Sequence, residues 1–236
     1  MSFDKPYQHV LIRECGEPMA VIPQGVFVLS DPHPYLSAGA PYETCSPWML
    51  RQSILESLLR AQELLHQSHP GWKIKLFDAY RPNKVQDYLV QKAFTQQLQE
   101  EGLNVDALAE ASREAVWEKV FRLWAVPCEN PARPPPHSTG AAFDCTLVND
   151  AGDDLDMGSP FDENSDRSRP DYFAEAADPT GKRAHANRKQ LCELLAREGF
   201  VRNPSEWWHF SRGDQLATWA DHPQNPDTFA IYGRVA

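Results

Sequence analysis

From Ile54 to Leu65 the apolar residues Ile54, Leu55, Leu58, Ala61 and Leu65 recur three and four positions apart, the spacing that lines one face of an α-helix. Ser46-Pro47 reads as an N-cap followed by proline at the first helical position, so the helix is expected to begin there and to end before Gly71. The period then changes. In WKIKLFD, residues 72–78, Trp72, Ile74 and Leu76 alternate with Lys73 and Lys75, as in a half-buried strand, and DAYRP breaks the pattern. Helical spacing returns over 83–101 through Val85, Tyr88, Leu89 and Ala93, and again over about 106–125. VPCENPARPPPH, residues 126–137, holds five prolines and is expected to be an extended loop.

AAFDCTLV, residues 141–148, reads as a strand with Phe143, Cys145 and Leu147 on one face and Ala142, Asp144 and Thr146 on the other. NDAG turns the chain, and the polar stretch 157–182 is expected to be loop. Leu191, Leu194 and Leu195 mark a helix closed by Gly199, and EWWHF, residues 206–210, reads as a last core strand. Helices and strands mix without a regular βαβ rhythm. The expectation is an α+β fold in a single domain spanning 1–236, with a mainly antiparallel central sheet flanked by helices and residues 1–45 as an extension packed on it.

Composition narrows the partners. The chain has 236 residues, 42% of them hydrophobic, enough for one substantial core. Lys and Arg number 23 against 33 Asp and Glu, and the net charge of −10 is nowhere relieved by a basic block. Nucleic acid is therefore excluded as an expected partner, because phosphate binding needs a basic face. No apolar run reaches the length of a secretory core or a membrane span, so the reading is a soluble, cytoplasmic protein with no membrane partner. Five cysteines without a C-x-x-C pair fit reduced thiols. Charge speaks to solubility and leaves homo-oligomerisation open.

Of eight histidines, His137 and His209 sit where the backbone would hold the ring still. Pro134, Pro135 and Pro136 stiffen the approach to His137, and Gly140 lets the chain bend back into the strand that carries Asp144. His-x6-Asp alone carries little information, and the plain alternative is a loop histidine and a solvated aspartate. His209 lies among Trp207, Trp208 and Phe210, where a polar ring needs a partner, either a main-chain carbonyl or a metal. Two histidines and a carboxylate make a three-ligand set with an open fourth position, as in catalytic zinc sites, and Glu206 would serve as general base. In a straight strand 206 and 209 face opposite sides, so a bend near Pro204-Ser205, or a Glu206 outside the strand, is required. Arg81, fixed by Pro82, is the candidate partner for an oxyanion. Asp78 either orients a neighbouring side chain or caps the break after its strand, and His33, His185 and His222 are expected at the surface.

Taken together, FDAYRP (77–82), HSTGAAFDCTL (137–147), MGSPFDENSD (157–166) and NPSEWWHF (203–210) resemble the D-alanyl-D-alanine dipeptidases, a family of zinc peptidases, and the resemblance runs from about residue 46 to 212. It implies one Zn2+ per chain, in a cleft on the sheet, held by His137, Asp144 and His209. It further implies Glu206 as catalytic base, Arg81 as the residue that polarises the scissile carbonyl, and Asp162 as the site for the amino group of a small D,D-dipeptide. An aromatic hydroxyl from the N-terminal region assists, and Tyr35 is the candidate. Members of the family often carry a serine two residues before the first ligand histidine to hold the substrate carboxylate. Here that residue is Pro135, so carboxylate recognition must differ, through backbone groups or Ser138. The activity implied is hydrolysis of D-alanyl-D-alanine. A D,D-carboxypeptidase acting on peptidoglycan stem peptides, or a metal-bound module that binds cell-wall fragments without cutting them, are the alternatives.

Overall fold

The computed structural model describes residues 3–222, 225 and 227–235. The strands are β1 (Leu11–Ile12), β2 (Met19–Val21), β3 (Val28–Leu29), β4 (Met49–Arg51), β5 (Lys73–Asp78), β6 (Ala142–Val148), β7 (Val201–Arg202), β8 (His209–Ser211) and β9 (Phe229–Ala230). The helices are α1 (Pro34–Ser37), α2 (Gln52–Ser68), α3 (Asn83–Glu100), α4 (Glu110–Leu123), α5 (Pro179–Ala196) and α6 (Gln215–Asp221). A five-stranded sheet runs in the order β3-β5-β6-β8-β7. β5, β6, β8 and β7 pair antiparallel, and β3 joins β5 in parallel. The architecture is α+β, as expected, with a mixed sheet that is antiparallel at its centre.

β6 is the central strand, and all seven of its residues are buried. Its alternating faces therefore both meet protein, which removes the reading of Asp144 as a solvated strand residue. On one face Phe143, Cys145 and Leu147 join the main core with Leu50, Ile54, Leu58 and Leu65 of β4 and α2 and Leu191 and Leu195 of α5. At roughly 1.5–3 kcal/mol for each large apolar side chain buried, this packing is what fixes β6 relative to the helices.

Several boundaries differ from the sequence reading, each for a long-range reason. α2 begins at Gln52 because Met49–Arg51 pair antiparallel with Met19–Val21. Its first turn is capped from a distance, by the Glu17 carboxylate accepting from the Ser53 N–H. Ser46 Oγ accepts from Trp48 N–H at 3.2 Å and makes a local turn only. The loop expected over 157–182 ends early: Asp178 accepts from Gly181 N–H at 2.9 Å and, with Pro179 behind it, starts α5. The last core strand contains only His209–Ser211, and residues 207–208 approach it as bends. Residues 1–45 supply more than a packed extension, since β3 is an edge of the main sheet, and β1 pairs in parallel with β9 near the other end of the chain.

His137 lies in a 3-10 turn, Pro136–Thr139, rather than in extended loop. Pro134, Pro135 and Pro136 are buried, and Pro135 (φ −57°, ψ 141°) delivers the chain into the turn. Gly140 ends it at φ 70°, and a Cβ there would meet the Met19 side chain. We expect Gly140→Ala to cost about 1–2 kcal/mol in urea unfolding from the left-handed backbone alone. It should also lower metal affinity more than Gly152→Ala, whose glycine has the same handedness in open space.

Candidate active site

Three elements bring the chemistry together. Pairing in β5–β6 slips between Leu76 and Asp78, and this bulge sets Asp78 opposite Asp144. β6–β8 pairing sets Asp144 opposite His209. The 3-10 turn before β6 brings in His137. The result is His137 Nε2 at 3.3 Å from Asp144 Oδ2, His209 Nδ1 at 3.1 Å from Asp144 Oδ1, and the two ring nitrogens 3.1 Å apart. All three side chains are at most 5% exposed.

The arrangement fits a metal ion on its own chemistry. His137 Nδ1 lies 2.7 Å from Ala79 O, and since a carbonyl only accepts, that nitrogen carries the proton and Nε2 presents a lone pair inward. Burial would raise the Asp144 pKa, but in the absence of a metal its interactions with His137 and His209 outweigh it and hold the carboxyl well below its usual range. A buried carboxylate and inward lone pairs within 4.8 Å of one another need a cation. Nitrogen and oxygen donors in this number suit zinc.

Glu206 lies outside β8, 9% exposed, with Oε2 3.7 Å from His209 Nδ1. The bend that the sequence required is present: Asn203 O accepts from Glu206 N–H at 3.4 Å, and Asn203 Oδ1 accepts from Ser205 N–H at 2.9 Å. Burial pushes the Glu206 carboxyl up to about 7, against the pull of His209 and with the help of Asp144. A carboxyl near neutrality is matched to taking and giving back a proton.

Arg81 is held on every side. Nε donates to Asp78 Oδ2 at 2.9 Å, Nη1 to Gln86 Oε1 at 2.9 Å, and Nη2 to the Tyr35 hydroxyl at 3.1 Å and Asp144 Oδ2 at 3.3 Å. The Tyr35 hydroxyl donates in turn to Asp162 Oδ2 at 2.8 Å, so Arg81, Tyr35 and Asp162 form one chain of hydrogen bonds. Asp162 adopts φ 60°, the left-handed region, a strained backbone state of the kind that structures maintain at functional positions. Tyr35 and Asp162 thus join the cluster around Arg81. Ser138 does not: its hydroxyl donates to Pro135 O at 2.7 Å inside the turn, and it is not among the residues lining the cleft.

Sequence reasoning placed His33 at the surface, whereas it is 5% exposed. Its Nδ1 accepts from Tyr35 N–H and Leu36 N–H at the start of α1, which leaves Nε2–H to donate to Asp78 Oδ1 at 3.1 Å. Asp78, fully buried, also accepts from Tyr42 at 3.1 Å. Of its two readings, the orienting carboxylate is the one the geometry realises. The signal available in the sequence was His33-Pro34, a side-chain cap before a proline at the first helical position. His185 is half-buried and His222 is exposed beside Asp221.

A carboxyl near neutrality beside a donor set that fits a metal, in a cleft that also holds a fixed guanidinium, is an arrangement suited to a metallopeptidase. Comparison with known proteins narrows the class: a model of Peptidase_M15, described as D-ala-D-ala dipeptidase, matches residues 29–229, and the chain belongs to that family. A D-alanyl-D-alanine dipeptidase of Synechocystis sp. is 43% identical over 248 aligned positions, covering 100% of both chains. One of Escherichia coli is 38% identical over 96 positions, 41% of this chain and 45% of that protein. Among solved structures, the LdcB LD-carboxypeptidase superposes with a TM-score of 0.45 at 15% identity, covering 95% of this chain and 85% of that one. A zinc-bound VanY D,D-pentapeptidase mutant from the VanB-type vancomycin resistance cassette gives 0.43 at 14%, covering 87% and 88%. Among the described residues no helix is long and apolar enough to cross a membrane.

Asp162 gives a pH prediction. Burial, reinforced by Asp144 and opposed by Arg81, pushes its carboxyl up to about 8. A folded-state pKa above the unfolded value means that the native state binds the extra proton, so stability falls as pH rises from about 4 to about 8. In the metal-free protein, Asp162→Asn should therefore gain stability over wild type across that window, by about 1–3 kcal/mol at its upper end. Urea unfolding at pH 5 and pH 8 measures the difference, and an equal effect at both would contradict it.

Proposed function

We propose that the chain hydrolyses D-alanyl-D-alanine to free D-alanine, with one zinc held by His137, Asp144 and His209. The observation that carries this reading is the chain from Asp162 through Tyr35 to Arg81, which ends on Asp144. It ties a site for a free amino group to the site of bond cleavage at a fixed distance. Zinc, when bound, supplies Lewis acidity, polarising a carbonyl and lowering the pKa of a water molecule from about 15.7 toward about 7.

The chain's own residues do the rest. Asp162, with Tyr35 beside it, takes the substrate ammonium and so sets the peptide bond near Glu206. Glu206 accepts the proton of the attacking water and returns it to the leaving amine. The Arg81 guanidinium, unable to drift because Asp78 and Gln86 hold it, stabilises the oxyanion with no reorganisation as the reaction proceeds. His137 is kept in one tautomer by Ala79 O, so its donor nitrogen needs no rearrangement before use. A longer peptide has no ammonium at the position of Asp162, which disfavours stem-peptide trimming. We take the whole sequence to act as one catalytic unit in the cytoplasm; among the described residues no helix is long and apolar enough to cross a membrane.

Glu206→Ala should keep zinc stoichiometry and lower kcat by about 10²–10⁴. Arg81→Lys, which loses the planar fork, should lower kcat by about 10²–10³ while leaving zinc content unchanged. Coupled detection of free D-alanine with metal analysis checks both. Preferential cleavage of a pentapeptide stem over the dipeptide would overturn the reading in favour of a carboxypeptidase.

A further inference from the structure

A dipeptide is a zwitterion, and in a cleft both of its ends must be paired or their desolvation opposes binding. Asp162 serves the ammonium. Among the described residues already placed at the site, none serves the carboxylate: Pro135 has neither hydroxyl nor N–H, the Ser138 hydroxyl is committed to Pro135 O, and Arg81 commits four of its five N–H donors to Asp78, Gln86, Tyr35 and Asp144, its remaining Nη1–H being the one assigned to the oxyanion. Two other cations line the same cleft as His137, Asp144, Glu206 and Asp162, namely Lys5 and Arg122. Arg122 is exposed, whereas Lys5 is half-buried.

We propose that Lys5 is the carboxylate anchor of the cleft, its ammonium pairing with the C-terminal carboxylate of a dipeptide whose amino group is held at Asp162. This rests on the dipeptidase reading for the substrate, and it adds a binding residue outside the stretch that matches the family, which begins at residue 29. Lys5 is placed by structure rather than by chance. The 3-10 turn Pro6–His9 follows it, with Tyr7 and Gln8 buried. Lys5 N–H donates to Gln8 Oε1 at 2.9 Å, and Gln215 of α6 clamps the arm by donating to Val10 O at 2.6 Å and to Ala132 O at 3.0 Å. Among the described residues the Lys5 ammonium makes one hydrogen bond, to Phe121 O at the end of α4, which leaves two N–H donors for a ligand. Burial lowers its pKa, opposed by the charge of Glu206, so Lys5 lies within electrostatic reach of the base and gains from an added anion. Lys5 and Asp162 line one cleft with His137, Asp144 and His209, so together they would hold the dipeptide by both ends and set its length.

The test is equilibrium binding in the zinc-loaded Glu206→Gln protein, by calorimetry, with D-alanyl-D-alanine and its C-terminal amide. The parent should bind the acid about tenfold or more tighter than the amide, a gap of about 1.4 kcal/mol. Lys5→Met should bring the two to within about twofold by weakening the acid alone. Lys5→Gln, which can still donate to Phe121 O, should do the same and so separates lost charge from lost folding. Arg122→Met should leave the gap intact. A parent that does not distinguish acid from amide, or Lys5 variants that keep the gap, would overturn the proposal. A gap that depends on Lys5 in a protein that, with Glu206 intact, releases no alanine would instead overturn the dipeptidase reading and leave the anchor standing.

Discussion

Two carboxylates, Asp78 and Asp144, face each other across adjacent strands in the interior, and most of the active site exists to neutralise them. Like charges opposite one another in a sheet repel, and in a medium this poor in water the repulsion is costly. Arg81 answers both, at 2.8 Å from Asp78 and 3.3 Å from Asp144. His33 and Tyr42 complete the shell of Asp78, and His137 and His209 that of Asp144. Asp78 ends up below the usual carboxylate range because Arg81 and the His33 hydrogen bond outweigh its burial. The division of labour follows: Asp78 is fully paired by protein, whereas Asp144 faces two ring nitrogens and makes with them a donor set that fits a cation.

That division makes the site rigid. Arg81 cannot swing away without unpairing Asp78, His137 is locked between Ala79 O and the cluster, and Tyr35 is placed by the same His33 that bonds Asp78. The Arg81 guanidinium and the Tyr35 hydroxyl therefore share one buried foundation, assembled from the N-terminal segment, β5 and β6. Electrostatic stabilisation is effective when the dipoles and charges are already in place, and here they are fixed by groups that would be left uncompensated if they moved.

Much of this was legible in the sequence. β6, α3 and the body of α2 follow from periodicity, and the proline run together with Gly140 pointed to a held His137. The demand that Glu206 sit off the strand that carries His209 was a deduction from strand geometry, and the structure meets it. What could not be read were contacts between distant segments. Met49–Arg51 look like the start of a helix until Met19–Val21 lie beside them. His33 looks exposed until Asp78, 45 residues away, accepts a hydrogen bond from it. Ser138 looked available until the 3-10 turn claimed its hydroxyl. Asp178-Pro179 is different, a local helix-start signal hidden in a stretch that is otherwise polar and loop-like.

If the buried, anionic donor set recruits a metal on which peptide hydrolysis depends, activity must follow metal content. The most direct measurement is D-alanine release from D-alanyl-D-alanine by the purified protein as isolated, after chelation, and after stoichiometric zinc is returned, with metal content measured at each stage. The account predicts release that disappears on chelation and returns as zinc approaches one per chain. Release that survives removal of the metal, or zinc bound at one per chain with no release, would contradict it.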